Sequence, residues 1–415
     1  MTAVPASVEI LAEPSLTLGL LAWLLAGAAL GCCSGLVPGL HANNFALLLA
    51  GFAPSIPGRP LFVGCAMLAV GVVHTFVNAV PAMALGVPDA EMAITALPGH
   101  RLVLEGRGYE AIRLSALGSL LAVLAAVPLA VPVTRGVTAA YPTIQAHLSL
   151  VLAMVVVALI ASERTWRTRL GGLVSFALAA TLGVLTLDLA TDAPLEAGGM
   201  LAPLFAGLFG APVLIDAIRG GGVPPQRDES IAMSRPLVGV TAIAGALAGA
   251  VVGYIPGISA AIAAVAALVV VPGRSGDRGY IVATSGVDTA NTIFALFALV
   301  AIGQPRTGVM VAFDTVNAPL ELPVLVAGIV LAGCVGFVLV IVVGDAYLDL
   351  VGRTDYWKIS VAVLALLCCL SYLFTGFIGV GVLAVATAVG LVPIRVGARR
   401  VHLMGVLIGP LIVGA

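Results

Sequence analysis

Two short clusters of polar residues stand inside otherwise apolar runs. The first, GVVHTFVNAVP, holds His74, Thr75 and Asn78; the second, SGVDTANTIF, holds Ser285, Asp288, Thr289, Asn291 and Thr292. Oxygen atoms of carboxylates, amides and hydroxyls are the natural ligands of hard cations, and an imidazole changes charge near neutral pH. An ionisable group in an apolar segment is costly to keep and marks an ion or substrate path. His74, Thr75, Asn78, Asp288, Asn291 and Thr292 are therefore expected to bind a coupling cation, Na+ or H+. A structural hydrogen bond remains the plainer reading for His74 and Asp288.

Two more clusters follow Pro-Gly pairs. His41, Asn43 and Asn44 come after Pro38-Gly39, and Ser259 comes after Pro256-Gly257. Each proline ends the helix before it by removing a donor and clashing with the preceding turn. Each glycine then allows backbone angles other residues avoid. A helix broken inside a bilayer leaves backbone groups that protein, water or ligand must satisfy. The N-terminus of the second piece, with its free N–H groups and partial positive charge, suits a carboxylate. The expected substrate-binding set is Pro38, Gly39, His41, Asn43, Asn44, Pro256, Gly257, Ser259 and Thr289. A simple turn between two helices would use the same Pro-Gly pairs.

The elements that must position these residues follow from composition. The chain has 415 residues, 61% hydrophobic and only 9% charged, with 19 basic and 20 acidic residues. Its mean hydropathy is +1.16. Soluble domains carry about 25% charged residues, so this chain cannot cover a water-facing surface. A cytosolic enzyme, a nucleic-acid binder and a disordered scaffold are excluded, and no net field recruits nucleic acid. A span takes roughly 20 apolar residues. The expected fold is an all-α polytopic protein of the cell (cytoplasmic) membrane, with about ten to twelve membrane segments in the lipid bilayer. Segments 42–53, 258–272 and 401–415 are too short to span and read as re-entrant or interfacial pieces. The run 357–392 is two spans or one helix broken at Thr375-Gly376. Segments 110–134 and 137–161 read as separate spans.

The chain repeats itself. GAALGCCSGLVPGLHANN at 27–44 matches GALAGAVVGYIPGISAAI at 245–262 in seven of eighteen positions, including the glycines and the Pro-Gly pair. GLFGAP at 207–212 resembles GVLIGP at 405–410, and Thr75 with Asn78 resembles Thr289 with Asn291 after a small shift. The expected organisation is a tail at 1–14, a first transmembrane repeat at 15–218, a polar Gly/Pro-rich linker at 219–235 and a second repeat at 236–415. Glycines at four-residue spacing let helix backbones approach closely. Arginines 164, 167 and 169, and 219, 227 and 235, should face the cytoplasm, and the acidic 188–196 should face out. The two repeats are then inverted copies, as in many secondary transporters. Arg101, Arg107 and Arg113 fit this only if 88–108 is re-entrant or cytoplasmic, and Arg395, Arg399 and Arg400 are equally awkward.

The polar stretch 97–114 reads as a solvated, charge-paired face, with Arg101 as a rival anion contact. Asp314 and Asn317 are expected in a loop. The six cysteines sit in apolar runs and read as structural thiols. The N-terminus carries Glu9 and Glu13 without a base, unlike a signal peptide. No metalloprotease or nucleophile-elbow motif stands in a suitable context, so no enzyme and no cofactor is expected.

Three stretches carry a family resemblance: GCCSGLVPGLHANNFALLLAG, HTFVNAVPAMALGVPDAEMAITALPGHRLVLEGRGYEAIRLSALGSL, and GYIPGISAAIAA with SGVDTANTIFAL. Together the chain resembles the large membrane subunit of tripartite tricarboxylate transporters, the TctA family, in its archaeal type. The resemblance implies secondary active transport of a small organic anion, a di- or tricarboxylate such as citrate. It also implies an extracytoplasmic binding protein and a small membrane subunit as partners; a homodimer is a further candidate assembly. A passive channel or exporter for small anions, or a membrane partner without transport, is the alternative.

Overall fold

The computed structural model describes residues 13–52, 58–87, 96–190, 192–195, 199–218, 223–255, 260–271 and 276–414. All regular structure among them is helical. In chain order the first half holds α1 (Pro14–Gly35), α2 (Ala42–Phe52), α3 (Pro60–Val77), α4 (Ala79–Leu85), α5 (Ala96–Leu104), α6 (Gly108–Ala146), α7 (Leu148–Ala161) and α8 (Trp166–Thr186). It closes with α9 (Leu201–Phe205), a π turn (Ala206–Gly210) and α10 (Ala211–Ala217). The second half holds α11 (Arg235–Tyr254), α12 (Ala260–Val270), α13 (Gly276–Ile302), α14 (Gly308–Thr315), α15 (Leu322–Arg353) and α16 (Tyr356–Val396). A 3-10 turn (Arg400–Met404) then leads into α17 (Gly405–Val413). Eight helices among the described residues are long and apolar enough to span, and three apolar helices are shorter.

Glycine decides the close pairings. A Cβ on Gly27 or Gly31 would stand 2.3 or 2.6 Å from the carbonyl oxygens of Ala66 and Val70, and Gly35 lies against Val77. These contacts climb together, so α1 and α3 run parallel. Gly245, Gly249 and Gly253 lie in the same way against Ala283, Val287 and Phe294, so α11 and α13 also run parallel. Each parallel pair requires the chain to return between its members, and the short α2 and α12 occupy those returns.

The third long helix of each half packs on the other half. On α13, α6 runs parallel, pairing Gly118 with Val282 and Ser119 with Ser285. Along α3 and α4, α15 runs parallel, with Gly336 on Phe76 and Gly344 on Val80. Between themselves α6 and α15 run antiparallel, Gly333 meeting Val123 and Gly344 meeting Ile112. It follows that the α1–α3 pair and the α11–α13 pair point in opposite directions. The exchange recurs at the chain ends: α17 packs on α8 (Gly409 on Ala180), and the α9–α10 segment packs on α16 (Gly207 on Ala386).

Two boundaries differ from the sequence expectation. The spans expected at 110–134 and 137–161 are instead one 39-residue helix, α6, followed by the 14-residue α7. The prolines at 128, 132 and 142 sit inside α6. Thr134 and Thr138 donate to the carbonyls of Ala130 and Thr134, and Tyr254 meets Thr134 at 2.6 Å. These hydroxyls bond back to carbonyls of their own helix, so neither is left unsatisfied in apolar surroundings. Asp314 lies in the last turn of α14 rather than in a loop, and Asn317 follows it at φ 49°.

Within α16, Gly376 has φ 65° and ψ −162°, a conformation essentially restricted to glycine. The chain folds back there: a Cβ on Gly379 would stand 3.1 Å from the carbonyl oxygen of Ser371, eight residues earlier. The run thus forms two arms of about 20 residues, each of spanning length.

One end of the bundle gathers the arginines. Glu110 is fully buried there and accepts from Arg278 through both oxygens (2.7 and 3.0 Å), from Arg107 (2.6 Å) and from the Ala232 amide (2.7 Å). Arg113 meets Asp228 and Asp345, and Arg101 meets Asp277 at 2.8 Å. Arg399 and Arg400 share a cavity with Arg101 at this same end. Arg59, at the start of α3, and Arg306, which meets Tyr141 near the end of α6, stand at the other end.

Candidate functional site

The site forms where α3 crosses α13. Pro81 cannot donate to the carbonyl of Val77, four residues before it. The helix accordingly breaks at Asn78, whose amide N–H still reaches the carbonyl of His74 at 2.8 Å. This break places the Asn78 side chain between the ends of α3 and α4. On α13, positions 285, 288, 291 and 292 are three or four apart and share one helix face. Asp288 and Thr289 stand at the middle of that 27-residue helix.

Across the crossing, Asn78 Nδ2 donates to Asp288 Oδ2 at 3.0 Å. The hydroxyls of Thr75 and Thr289 are 3.1 Å apart. Thr75 donates to the Val72 carbonyl at 2.8 Å, which leaves its oxygen as acceptor for Thr289. One turn along, the Ser115 and Ser285 hydroxyls pair at 2.8 Å, and Ser119 donates to the Ser285 carbonyl at 3.2 Å. Ser34, in the last turn of α1, stands 2.8 Å from His74 Nδ1 and 3.1 Å from the Gly31 carbonyl. When the hydroxyl donates to Gly31, the His74 ring donates to it through Nδ1.

His74, Asp288 and Thr289 are completely buried, and Thr75, Asn78, Asn291 and Thr292 nearly so. Asn291 Oδ1 has no hydrogen-bond partner among the described residues. The arrangement can hold a small cation among a carboxylate, an amide oxygen and hydroxyls.

The first Pro-Gly break adjoins this crossing. Gly35, at the end of α1, lies against the carbonyl of His74 and the backbone N of Asn78. Pro38 is buried, and Gly39 has φ 75° with Leu367 beside it. His41 is half-buried and its carbonyl accepts the first helical bond of α2 from Phe45. Asn43 and Asn44 occupy the first turn of α2. Pro256, Gly257 and Ser259 lie outside the described residues. The helix leading to them ends with Gly253 against Asn291 and Phe294. His74 faces the first glycine stripe as Asn291 faces the second, so packing pairs these two, whereas sequence similarity pairs Asn78 with Asn291.

The match to known proteins is decisive for family. The model of the tripartite tricarboxylate transporter TctA family matches residues 21–405. The chain belongs to that family. As a TctA-family protein it is a multi-pass membrane protein of a transporter family whose large membrane subunit works with a small membrane subunit and a binding protein. One relative is an uncharacterized protein of Methanocaldococcus jannaschii, 25% identical over 402 residues, covering 94% of this chain and 98% of the relative. No solved structure matches the chain.

Sequence reasoning missed Ser34, Ser115 and Ser119. The signal was faint, because a lone serine in a Gly/Ala-rich helix reads as a packing residue. Only the partner helices, 40 to 170 residues away, reveal their use. Arg101, a rival anion contact by sequence, is paired with Asp277.

Proposed function

We propose that this TctA-family protein is a secondary active transporter of organic anions, di- or tricarboxylates such as citrate, driven by a Na+ or H+ gradient. The observation that carries the reading is the buried Asn78–Asp288 pair, which joins the two halves of the chain between its two most buried spans. Asp288, Asn78, Asn291, Thr75, Thr292 and His74 hold the coupling cation, Na+ or H+. Pro38, Gly39, His41, Asn43, Asn44, Pro256, Gly257 and Ser259, with Thr289, hold the substrate carboxylates at the two helix breaks.

The opposed directions of the α1–α3 and α11–α13 pairs support inverted repeats at 15–218 and 236–415 that rock about this crossing to alternate access. The arginine-rich end faces the cytoplasm, which places Arg101, Arg107, Arg113, Arg399 and Arg400 on the same side as Arg227. An extracytoplasmic binding protein delivers substrate at the other end, beside a small membrane subunit.

The test is uptake of labelled citrate and a panel of carboxylates into proteoliposomes, with the binding protein present and with imposed Na+ or H+ gradients. Saturable accumulation under one gradient supports coupled transport and names the ion. Flux that never exceeds equilibration, with or without a gradient, refutes coupling in favour of a passive channel.

A further inference from the structure

At the arginine-rich end lies a cavity of about 610 Å³ between α5, α12 and α13 on one side and the end of α16 with its following turn on the other. Its wall is amphipathic. Leu268, Ile394 and Val401 form apolar surface, while Arg101, Arg400 and Tyr280 bring donors; among the described residues no carboxylate lines it.

The charges around this cavity are unequally balanced. Arg399, also in the wall, is committed to Glu163 at 2.9 Å, to the Leu159 carbonyl and to Ser162. Arg101 meets Asp277, but with 60% of its side chain exposed the pair is weak and exchangeable. Arg400 makes no ion pair with any described residue, and Asp216 acts on it only from beyond direct contact. A guanidinium cannot shed its proton, and a half-buried charge without a counter-charge is costly. The Tyr280 hydroxyl is also buried and has no hydrogen-bond partner among the described residues. Arg400 needs an anionic acceptor, and the buried Tyr280 hydroxyl needs an acceptor of any charge.

The apolar wall decides which anion. A small hydrophilic ion would satisfy Arg400 but leave the partly exposed Leu268 and Ile394 uncovered. A phosphodiester carried on alkyl chains satisfies both surfaces, and a basic pocket between membrane helices at a charged end lies at headgroup depth. We propose that this cavity binds an anionic phospholipid, with its phosphate on Arg400 and Tyr280, Arg101 at the rim, and an acyl chain along Leu268 and Ile394. A lipid seated there bridges α5 and α13 to the end of α16.

The experiment uses the full-length protein, purified in detergent and stripped of lipid. Dioctanoyl phosphatidylglycerol, dioctanoyl phosphatidylcholine, glycerol 3-phosphate and citrate are titrated separately, with binding read by native mass spectrometry. Phosphatidylglycerol is expected to bind at least tenfold more tightly than phosphatidylcholine. Arg400→Gln should erase that preference, and Tyr280→Phe should weaken phosphatidylglycerol at least threefold with the unliganded melting midpoint unchanged. Should Arg400→Gln fail to fold, Leu268→Trp, which fills the acyl wall, is expected to lower phosphatidylglycerol binding to the phosphatidylcholine level. Equal binding of the two lipids overturns the proposal, as does a preference untouched by these variants. Glycerol 3-phosphate or citrate binding as tightly as the lipid would make the cavity a soluble-anion site and also overturn it.

Discussion

The Asn78 amide stands 3.0 Å from the Asp288 carboxylate although 210 residues separate them in sequence. One belongs to a helix interrupted by Pro81, the other to the centre of an unbroken 27-residue helix. Each half of the chain thereby supplies one partner of a buried charge contact.

Asp288→Asn keeps the shape and removes the charge. Gradient-driven uptake in proteoliposomes should fall to the level of empty vesicles, while elution volume and helical content stay as in the wild type. Uptake at the normal rate under the same gradient would remove Asp288 from the cation site.

The Thr75 and Thr289 hydroxyls should be coupled energetically. Replacing either by Val is expected to cost about 0.5–1.5 kcal/mol of stability, as for a typical buried hydrogen bond. The double variant should lose less than the sum, because the second removal has no bond left to break. Thermal unfolding of the four proteins reads this cycle, and strict additivity would show that the 3.1 Å contact carries no energy.

Glycines at backbone contacts should resist enlargement. A Cβ on Gly183 would stand 2.0 Å from the Val406 carbonyl oxygen, whereas one on Gly239 would meet nothing within 4 Å. Gly183→Ala should destabilise by about 1–3 kcal/mol, the usual cost of overpacking. Gly239→Ala should be neutral or slightly stabilising, since alanine is the better helix former. Melting midpoints in detergent compare the two. Gly376→Ala should lower the midpoint as well, for its positive φ and for the Asp192 carbonyl 2.4 Å from the added carbon.

Glu163 closes the α7–α8 turn onto the segment before α17, accepting from Arg399 and His402, each at 2.9 Å. Burial pushes its carboxyl up, but the hydrogen bonds from Arg399 and His402 outweigh this and hold it down at about 2. Folding therefore gains from this group above its unfolded value of about 4.3. That gain is lost as pH falls from there toward 2. Wild type should be more stable than Glu163→Gln at pH 6, with the difference shrinking progressively below about pH 4.3. A difference that stays constant down to the acid limit would contradict the clasp.

Much of the architecture is legible without coordinates because a bilayer leaves few choices. The scarcity of charge forces helices of spanning length. The stripe Gly27, Gly31 and Gly35 announces a close helix contact, since no other residue lets backbones meet so tightly. Thr375-Gly376 is readable as a break because a 36-residue apolar run exceeds one span and glycine alone tolerates a reversal. Asp288 and His74 stand out because charge and imidazole are rare in such surroundings.

What the chain cannot disclose by itself is which helices meet. Nothing local tells α6 to pack on α13 and α15 on α3, so Ser115 and Ser119 look like inert small residues until Ser285 is beside them. The same holds for the arginines at 101, 107 and 113. As a sequence they look misplaced, but in three dimensions Glu110, Asp277, Asp228 and Asp345 take them up at one end. Composition and periodicity determine what each segment is, because burial and backbone hydrogen bonding act within it. Tertiary structure decides the site, because a hydrogen bond such as Asn78 to Asp288 depends on the crossing of two helices that carry no record of one another.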